Sequence, residues 1–425
     1  MRCLLISFFL GLFLFISTVS FAELEHYKIS LLQQKQEVSI QTIESNLGFE
    51  EVKEFPLNFG IATGFYWLKI ERRDTVVVPD FLTIGTSTGN RVNFYGFSTK
   101  TAIWEQQIGG EFYSDNESSV TNVIPSFDLR SVNWEKPLYV LIATGTEHLV
   151  IPLKFYTTDG FYSSIQERIA QHSLLYGFLL VIMFLNGAWY FISRDKASMY
   201  FAMNMFFFIL YISFIDGYLQ KKMLMGWTDW YSPFYYTMLL LGTITALKFG
   251  QTYLRTKEDM PKIHLISNLG LIIVGVGYFL SWFEGNVRVL AHFLIFGNNL
   301  LLSFVYLAGA IQVKKHGHVP GDYMLYALTG TVIFSNLFVL QYMGVIPSNV
   351  FTLNGVHIGY SIFGVGITLG LLVRYKALLT LQKQDEIDRR VELELRVEER
   401  VNELSESIRE LAEAHLAIKE NKLNQ

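Results

Sequence analysis

Seven apolar segments, each close to 20 residues long, occupy the sequence between residues 173 and 373. At a rise of about 1.5 Å per residue, a helix of this length crosses a hydrocarbon layer of about 30 Å. Backbone polar groups inside lipid must be satisfied within the protein, so we expect these segments to be helices. The sequence therefore predicts a membrane protein with seven transmembrane helices. The segments are 173–192, 197–215, 233–249, 265–283, 289–311, 324–343 and 355–373.

The overall composition supports a membrane protein and argues against other classes. Charged residues make up 17% of the chain and hydrophobic residues 51%, whereas soluble proteins have about 25% charged residues. This balance excludes a disordered chain and an ordinary soluble protein. The net charge of −4 provides no basic surface that would attract phosphates. We therefore expect the lipid bilayer, and no nucleic acid, among the partners.

Residues 1–22 have the pattern of a secretion signal. Arg2 provides the positive start, residues 4–16 the apolar run, and Ser20-Phe21-Ala22 the small-x-small cleavage site. An uncleaved anchor is the alternative interpretation, although the run is short for a membrane span. Cys3 is the only cysteine of the chain. After cleavage we therefore expect no disulfide, thiolate metal site or cysteine nucleophile.

Residues 23–166 are more polar and have the pattern of an all-β domain. Short runs rich in β-branched and aromatic residues alternate with turn signals such as Thr88-Gly89-Asn90 and Gly109-Gly110. Strands at this spacing predict an antiparallel, jelly-roll-like sandwich. A cleaved signal would export this domain. The charges of the loops between the spans indicate the same orientation. Loops on one side of the membrane carry nine Lys and Arg, and those on the other carry three. Since positive loops face the cytoplasm, and the C-terminus lies on their side, we expect the C-terminus in the cytoplasm.

We assign residues 167–376 to the membrane domain and residues 377–425 to a cytoplasmic coiled coil. The latter segment is densely charged and has an apolar seam in steps of four and three, with His415 in the one gap. Ile387, Val391 and Leu395 fall out of phase with the seam, which indicates a local change of supercoil. We expect a parallel homodimer; an amphipathic helix on the membrane is the alternative. The seam residues are Val397, Val401, Leu404, Ile408, Leu411 and Ile418.

The sequence contains no catalytic motif that we could identify. Gly364-Val365-Gly366 lies inside the last span, where small residues favour close helix packing over phosphate binding. His316 and His318 lack nearby carboxylates or thiols and are interpreted as loop residues. His415 is not followed by the residues of a kinase phosphoacceptor site. We therefore expect a protein that is not an enzyme, with no catalytic residue, metal site or cofactor.

Two functional classes remain open, a receptor and a transporter. For a receptor, Trp104 and Trp67 with Arg91 and Asn93 are the candidate ligand-binding residues, because exposed aromatics beside polar groups suit a sugar. The strand pattern around Trp67 is more typical of a core residue, and Trp104 is the better surface candidate. A transporter predicts that polar residues inside the spans converge on one cavity. These polar residues are Asn186, Asn298, Asn336 and His357.

Four stretches of sequence carry a resemblance to a known family. These are GFYWLKIE at 64–71, HLVIPLKFYT at 148–157, the first two spans at 174–203, and HIGYSIFGVGITLGLLVRYKAL at 357–378. They resemble the sensor strands, the first spans and the last span of the bacterial seven-transmembrane receptors with diverse intracellular signalling modules. The resemblance implies a receptor in the bacterial inner membrane with a periplasmic sensor domain.

The resemblance also implies a small-molecule ligand, such as a carbohydrate, and an intracellular output. Phe363 stands where family members often have a glutamate in the last span. These receptors usually continue into a histidine kinase or diguanylate cyclase, whereas this sequence ends at Gln425. We therefore expect a separate cytoplasmic kinase or cyclase to dock on the coiled coil. A sensor truncated before its output domain and a signalling remnant are the alternatives.

Overall fold

The computed structural model describes residues 22–423 apart from 46–47, 74–77, 86–89, 111–112, 114–116, 224–230, 284 and 316–318. The predicted signal peptide, Cys3, His316 and His318 therefore lie outside the described residues, except for Ala22. The chain divides into two compact units, one up to Leu369 and one from Gly370. The first unit contains both the β-domain and most of the apolar helices.

The β-domain is an antiparallel sandwich, as the alternating pattern predicts. Its larger sheet has six strands in the order β2-β1-β3-β8-β5-β6, and its smaller sheet has three in the order β7-β4-β9. The strands are β1 (Tyr27–Gln34), β2 (Glu50–Glu51), β3 (Leu57–Arg72), β4 (Phe81–Ile84), β5 (Asn90–Phe97), β6 (Trp104–Gly110), β7 (Ser126–Asp128), β8 (Leu138–Ile151) and β9 (Leu153–Tyr156).

The two faces of the larger sheet are covered differently. Alternate residues such as Leu68, Phe94 and Val140 point between the sheets and are fully buried in the main core, because successive strand residues face opposite sides. The outer face carries a second, smaller apolar cluster beneath the short helix α1 (Ile40–Glu44). The outer face is therefore partly covered by the protein itself.

Each of the seven predicted spans coincides with a helix. Six of the described helices are long and apolar enough to cross a membrane. The third span, α5, is not among these six; it carries Lys248 and several hydroxyl residues. The spans lie in α2 (Thr158–Ser193), α3 (Lys196–Ile215), α5 (Tyr231–Tyr253), α7 (Pro261–Leu280), α8 (Asn286–Lys315), α9 (Val319–Tyr342) and α11 (Gly355–Leu423). Short helices are α4 (Tyr218–Met223), α6 (Thr256–Asp259) and α10 (Val350–Leu353).

The helix α11 begins in the last span and continues to Leu423 without interruption. Between Leu393 and Leu411 its large apolar residues are more than half exposed, with Val397 at 61% and Leu404 at 64%. Its charged residues form ion pairs one turn apart, such as Glu392 with Arg396 at 2.6 Å. The side chains of His415 and Ile418 lie outside the described residues.

Close helix packing at Gly366 generates a testable prediction. A Cβ atom at this position would lie 2.6 Å from the Cβ of Ala327, which confirms the packing interpretation of the glycines in the last span. Gly366→Ala is expected to lower the free energy of unfolding by about 1–3 kcal/mol, because the two helices would have to separate. Thermal unfolding of the purified protein in detergent measures the change.

Gly275→Ala is the matched control for that variant. Gly275 is also inside a spanning helix, but a Cβ atom added to it would have no neighbouring atom within 4 Å. The same substitution should there be neutral or stabilising by about 0.5–1 kcal/mol, because alanine favours helix more than glycine does. Equal effects at both positions would contradict the packing argument.

Candidate functional site

The four predicted ligand-binding residues share the outer face of the larger sheet. Trp67 on β3 pairs with Leu141 on β8, and Leu141 pairs in turn with Asn93 on β5. Arg91 is two residues from Asn93 on the same strand, and Trp104 on β6 pairs with Phe97 of β5. Since alternate residues of a strand face the same side, the fold brings all four onto one surface.

The two tryptophans differ in accessibility. Trp67 is fully buried beneath α1 and stacks on Tyr95 at 5.5 Å. Its indole Nε1 has no hydrogen-bond acceptor among the described residues. Trp104 is half-buried and packs edge-on against Tyr139, with ring centroids 5.5 Å apart. Its Nε1 donates a hydrogen bond to the carboxylate of Glu44 at 3.2 Å. Trp104 is therefore the aromatic residue that a ligand on this face would reach.

The polar residues of this face already have protein partners. Arg91 forms an ion pair with Glu37 at 2.5 Å. The Oδ1 of buried Asn93 accepts a hydrogen bond from the hydroxyl of Tyr113 at 3.2 Å. Glu37 and Glu44 both belong to the segment that includes α1, so this segment covers the outer face with its acidic side chains. Sequence reasoning missed both glutamates, because they are distant in the chain from the residues that they contact.

Burial on this face also affects a tyrosine that the sequence did not single out. Desolvation, with smaller contributions from Glu44 and Glu71, raises the pKa of Tyr139 to about 12. The phenol therefore stays neutral and can donate a hydrogen bond at any physiological pH.

The sandwich contacts the helices at the end of α9. Asn58 on β3 donates from Nδ2 to the carbonyl oxygens of Gln341 at 2.9 Å and Ile346 at 3.1 Å. Gly60 has a φ of +62°, and a Cβ on it would lie 2.7 Å from the carbonyl oxygen of Met343. Only glycine permits this backbone approach. We refer to these contacts, with those of His148 described next, as the junction.

His148 on β8 forms the aromatic part of the junction. Its ring stacks on Tyr342 with centroids 4.3 Å apart, and its Nε2 lies 3.3 Å from Nε2 of Gln341. An amide nitrogen can only donate, so the imidazole nitrogen accepts and must be unprotonated. Burial, reinforced by nearby His292, lowers the pKa of His148 to about 3, which agrees with a neutral ring. The ring of Tyr342 in turn contacts the ring of Phe296, with centroids 4.6 Å apart.

A second group of contacts joins the sandwich to α2 and α4. The Oδ1 of Asn122 accepts from Arg168 at 2.9 Å, and its backbone carbonyl accepts from Lys221 Nζ at 2.7 Å. Asn122 thus binds one cation through its side chain and the other through its backbone. These contacts attach the sandwich to the helices at a second place, away from the junction.

A buried carboxylate connects three helices near this second contact. Asp216 ends α3 and accepts hydrogen bonds from the hydroxyl of Tyr176 and from His357 Nε2 at 3.2 Å. His172 Nδ1 lies 3.5 Å from the same carboxylate oxygen. Because an unpaired buried charge is costly, these partners tie α2 and α11 to α3. No group of His, Cys, Asp or Glu in the described chain could hold a metal ion.

The polar residues on which the transporter hypothesis rests make separate helix contacts. Asn186 donates to the carbonyl of Ile182 and to Thr368, and Asn298 donates to the carbonyl of Gly270. Asn336 pairs with Ser303, whereas His357 pairs with Asp216. The four residues do not converge on one site.

The state of His148 generates a testable pH dependence. Its folded pKa of about 3 lies below the ordinary value of 6.5. The contribution of His148 to the free energy of unfolding is therefore complete above pH 6.5 and is lost as the pH falls towards 3. Between these two pH values only the unfolded chain takes up the proton. The difference in unfolding free energy between wild type and His148→Gln should shrink by up to about 1.4 kcal/mol per pH unit. Thermal unfolding at pH 7.5, 6 and 5 tests this, and a constant difference would contradict it.

Two family models match the chain over most of the residues discussed above. The model described as 7TM diverse intracellular signalling matches residues 169–374. The model described as 7TMR-DISM extracellular 2 matches residues 28–157. The curated proteins contain no match.

The two matches agree with the fold and with the resemblance of the sequence segments. The first covers the apolar helices and the second covers the sandwich, so both parts of one receptor architecture occur in the expected order. The protein is thus a multi-pass membrane protein with an extracellular N-terminal domain. The chain belongs to the seven-transmembrane receptors with diverse intracellular signalling modules.

Proposed function

We propose that the protein is a non-enzymatic receptor of the bacterial inner membrane that binds a periplasmic small molecule and passes the signal through its helices to a cytoplasmic coiled coil. The junction is the observation that supports this most directly. A sensor domain can influence a membrane domain only if the two have differential contacts that change together. Asn58, Gly60 and His148 supply contacts between the two domains on which such a change would act.

The ligand in this proposal is a carbohydrate or a similar small molecule at the outer face of the larger sheet. Trp104 supplies the accessible aromatic surface, and Arg91 and Asn93 supply polar groups further along the same face. Their present partners are the carboxylate of Glu37 and the hydroxyl of Tyr113, and the hydroxyl groups of a carbohydrate would take their places. Binding would therefore compete with the segment containing α1, which covers buried Trp67.

Two strands connect the ligand face with the junction. β3 carries Trp67 and, further towards its start, Asn58 and Gly60. β8 carries Leu141 and, towards its end, His148. The pairing of β3 and β8 shifts register between Asn58 and Ile61 and again between Ala62 and Thr63. A conformational change at the ligand face can therefore reach α9 through the backbone and the hydrogen bonds of β3 and β8. We expect the two strands to shift where their pairing is irregular, next to the junction.

The coiled coil is the proposed route of output. Val397, Val401 and Leu404 lie on one stripe of α11 and are more than half exposed. A second copy of the chain would cover this stripe, because parallel helices with heptad spacing bury such residues against each other. The flanking charges would select a separate cytoplasmic kinase or cyclase as partner. A transporter remains the alternative function, and flux of a solute in proteoliposomes would favour it.

Replacement of Trp104 tests the ligand face. Trp104→Ala is expected to weaken binding of a carbohydrate by about 10- to 100-fold, the effect of removing an aromatic contact of about 1.5–3 kcal/mol. Calorimetric titration of the purified receptor with glucose, maltose and cellobiose measures this. Ile103→Ala is the control, because Ile103 is the neighbouring residue and is 59% exposed. Equal affinities of both variants and wild type would contradict the site.

Cysteine cross-linking tests the dimer and the relay. Val401→Cys and Leu404→Cys are expected to form cross-linked dimers in membranes, with yields that change when a ligand identified above is added. Glu399→Cys should cross-link weakly, because this residue lies on the opposite side of the heptad. Cys3 is the only natural cysteine and lies in the predicted signal peptide. Equal yields at all three positions would contradict a dimer seam, and yields that ignore the ligand would contradict the relay.

A further inference from the structure

A cavity of about 190 Å³ lies among the helices of the membrane domain. Residues of α3, α5, α8, α9 and α11 line it, and its walls are mainly aromatic and aliphatic. Phe208 and Tyr360 are among the lining residues, and their rings stack with centroids 3.6 Å apart. None of the lining residues is charged. The cavity is separate from the ligand face of the sandwich and from the Asp216 cluster.

Three asparagines from three helices also line the cavity: Asn204, Asn299 and Asn336. The last two have partners, since Asn299 accepts from Thr243 at 3.5 Å and Asn336 donates to Ser303 at 3.1 Å. Asn204 is fully buried and donates from Nδ2 to the carbonyl of Gly242 at 2.9 Å. The Asn204 side chain also lies within hydrogen-bonding reach of the Tyr360 hydroxyl, but its Oδ1 accepts no hydrogen bond from any described residue. A buried acceptor without a donor is costly, and it therefore calls for an explanation.

The size and the lining of the cavity restrict what could occupy it. An apolar cavity of about 150 Å³ is large enough for benzene, so this one suits a molecule slightly larger than a single aromatic ring. The absence of charged lining residues disfavours an ion, because its charge would be unpaired in a low dielectric. Aromatic walls favour a flat aromatic molecule through stacked and edge contacts. The free acceptor of Asn204 favours a ligand with one N–H or O–H donor.

We propose that this cavity is a second ligand site, which takes a small uncharged aromatic molecule bearing one hydrogen-bond donor directed at Asn204. Such a molecule partitions into the bilayer and reaches the cavity without passing through the sandwich. Its contacts with Tyr360 place it against α11, the helix that also contains the predicted coiled-coil seam. The receptor would thus respond to a membrane-permeable molecule as well as to a ligand of the sandwich.

Equilibrium dialysis of the full-length receptor in nanodiscs tests this proposal, with empty nanodiscs to subtract partitioning into lipid. The probes are 3-methylindole and 1-methylindole, which have the same volume but differ in the N–H donor. We expect saturable binding of 3-methylindole and about tenfold weaker binding of 1-methylindole, the factor for one buried hydrogen bond. In Asn204→Leu the two probes should bind equally.

A variant that fills the cavity provides the second arm and does not depend on the folding of Asn204→Leu. Ala246 lines the cavity, so Ala246→Leu is expected to weaken binding of 3-methylindole more than tenfold. Ala188→Leu is the matched control, because Ala188 is exposed on the outside of α2, and it should bind as wild type does. No saturable binding above empty nanodiscs, or wild-type affinity in Ala246→Leu, would overturn the site. Equal affinity of wild type for both probes would overturn the donor requirement. These outcomes do not depend on whether the sandwich binds a carbohydrate.

Discussion

The need to pair buried polar groups determines how the helices of this receptor are held together. Within hydrocarbon, water is not available to compensate a carboxylate or an amide, so each must find its partner inside the protein. Asp216 does so with Tyr176 and His357, and Asn186 does so with Thr368. Both sets of contacts involve α11, which is thereby fixed to α2 and α3 at two levels. Hydrophobic residues alone would not specify these positions, because lipid is as apolar as leucine.

The same need to pair buried polar groups explains where the sandwich attaches to the helices. The carbonyl of Gln341 lies in the last turn of α9, and that of Ile346 lies just beyond the end of the helix, where intrahelical donors run out. Asn58 donates to both carbonyls from a strand of the sandwich, and the Gln341 carbonyl also accepts from the backbone N–H of Gly344. Gly60 permits the close approach that this geometry needs, and His148 covers Tyr342 with an aromatic face. Helix termination and domain docking are therefore satisfied by one set of groups.

Much of the fold could be predicted from the sequence, because it is encoded in local patterns. Alternation along the strands predicted the sandwich, and the length of the apolar segments located a helix at each of the seven spans. The placement of Trp67 in a strand pattern indicated a buried residue, and it is fully buried. The single helix after residue 377 also follows from the absence of glycine and proline.

The candidate site could be predicted only in part, because its contacts join residues far apart in the chain. Asn58 and Gln341 are 283 positions apart, and no periodicity links them. Asp216 lies at the end of a span, where a polar residue is ordinary and gives no signal. Arg91 and Asn93 were recognised by residue type, but their partners Glu37 and Tyr113 depend on how the loops return to the sheet.

The contact between Gly60 and the loop after α9 has a consequence for the descent of such receptors. Backbone atoms of the two segments approach so closely that neither can gain a side chain unless the other retreats. A sandwich transferred by recombination at the link between β9 and α2 would bring its own β3 but leave the loop at residues 343–346 behind. The sandwich and this loop are therefore expected to be inherited together, although more than 180 residues of sequence lie between them.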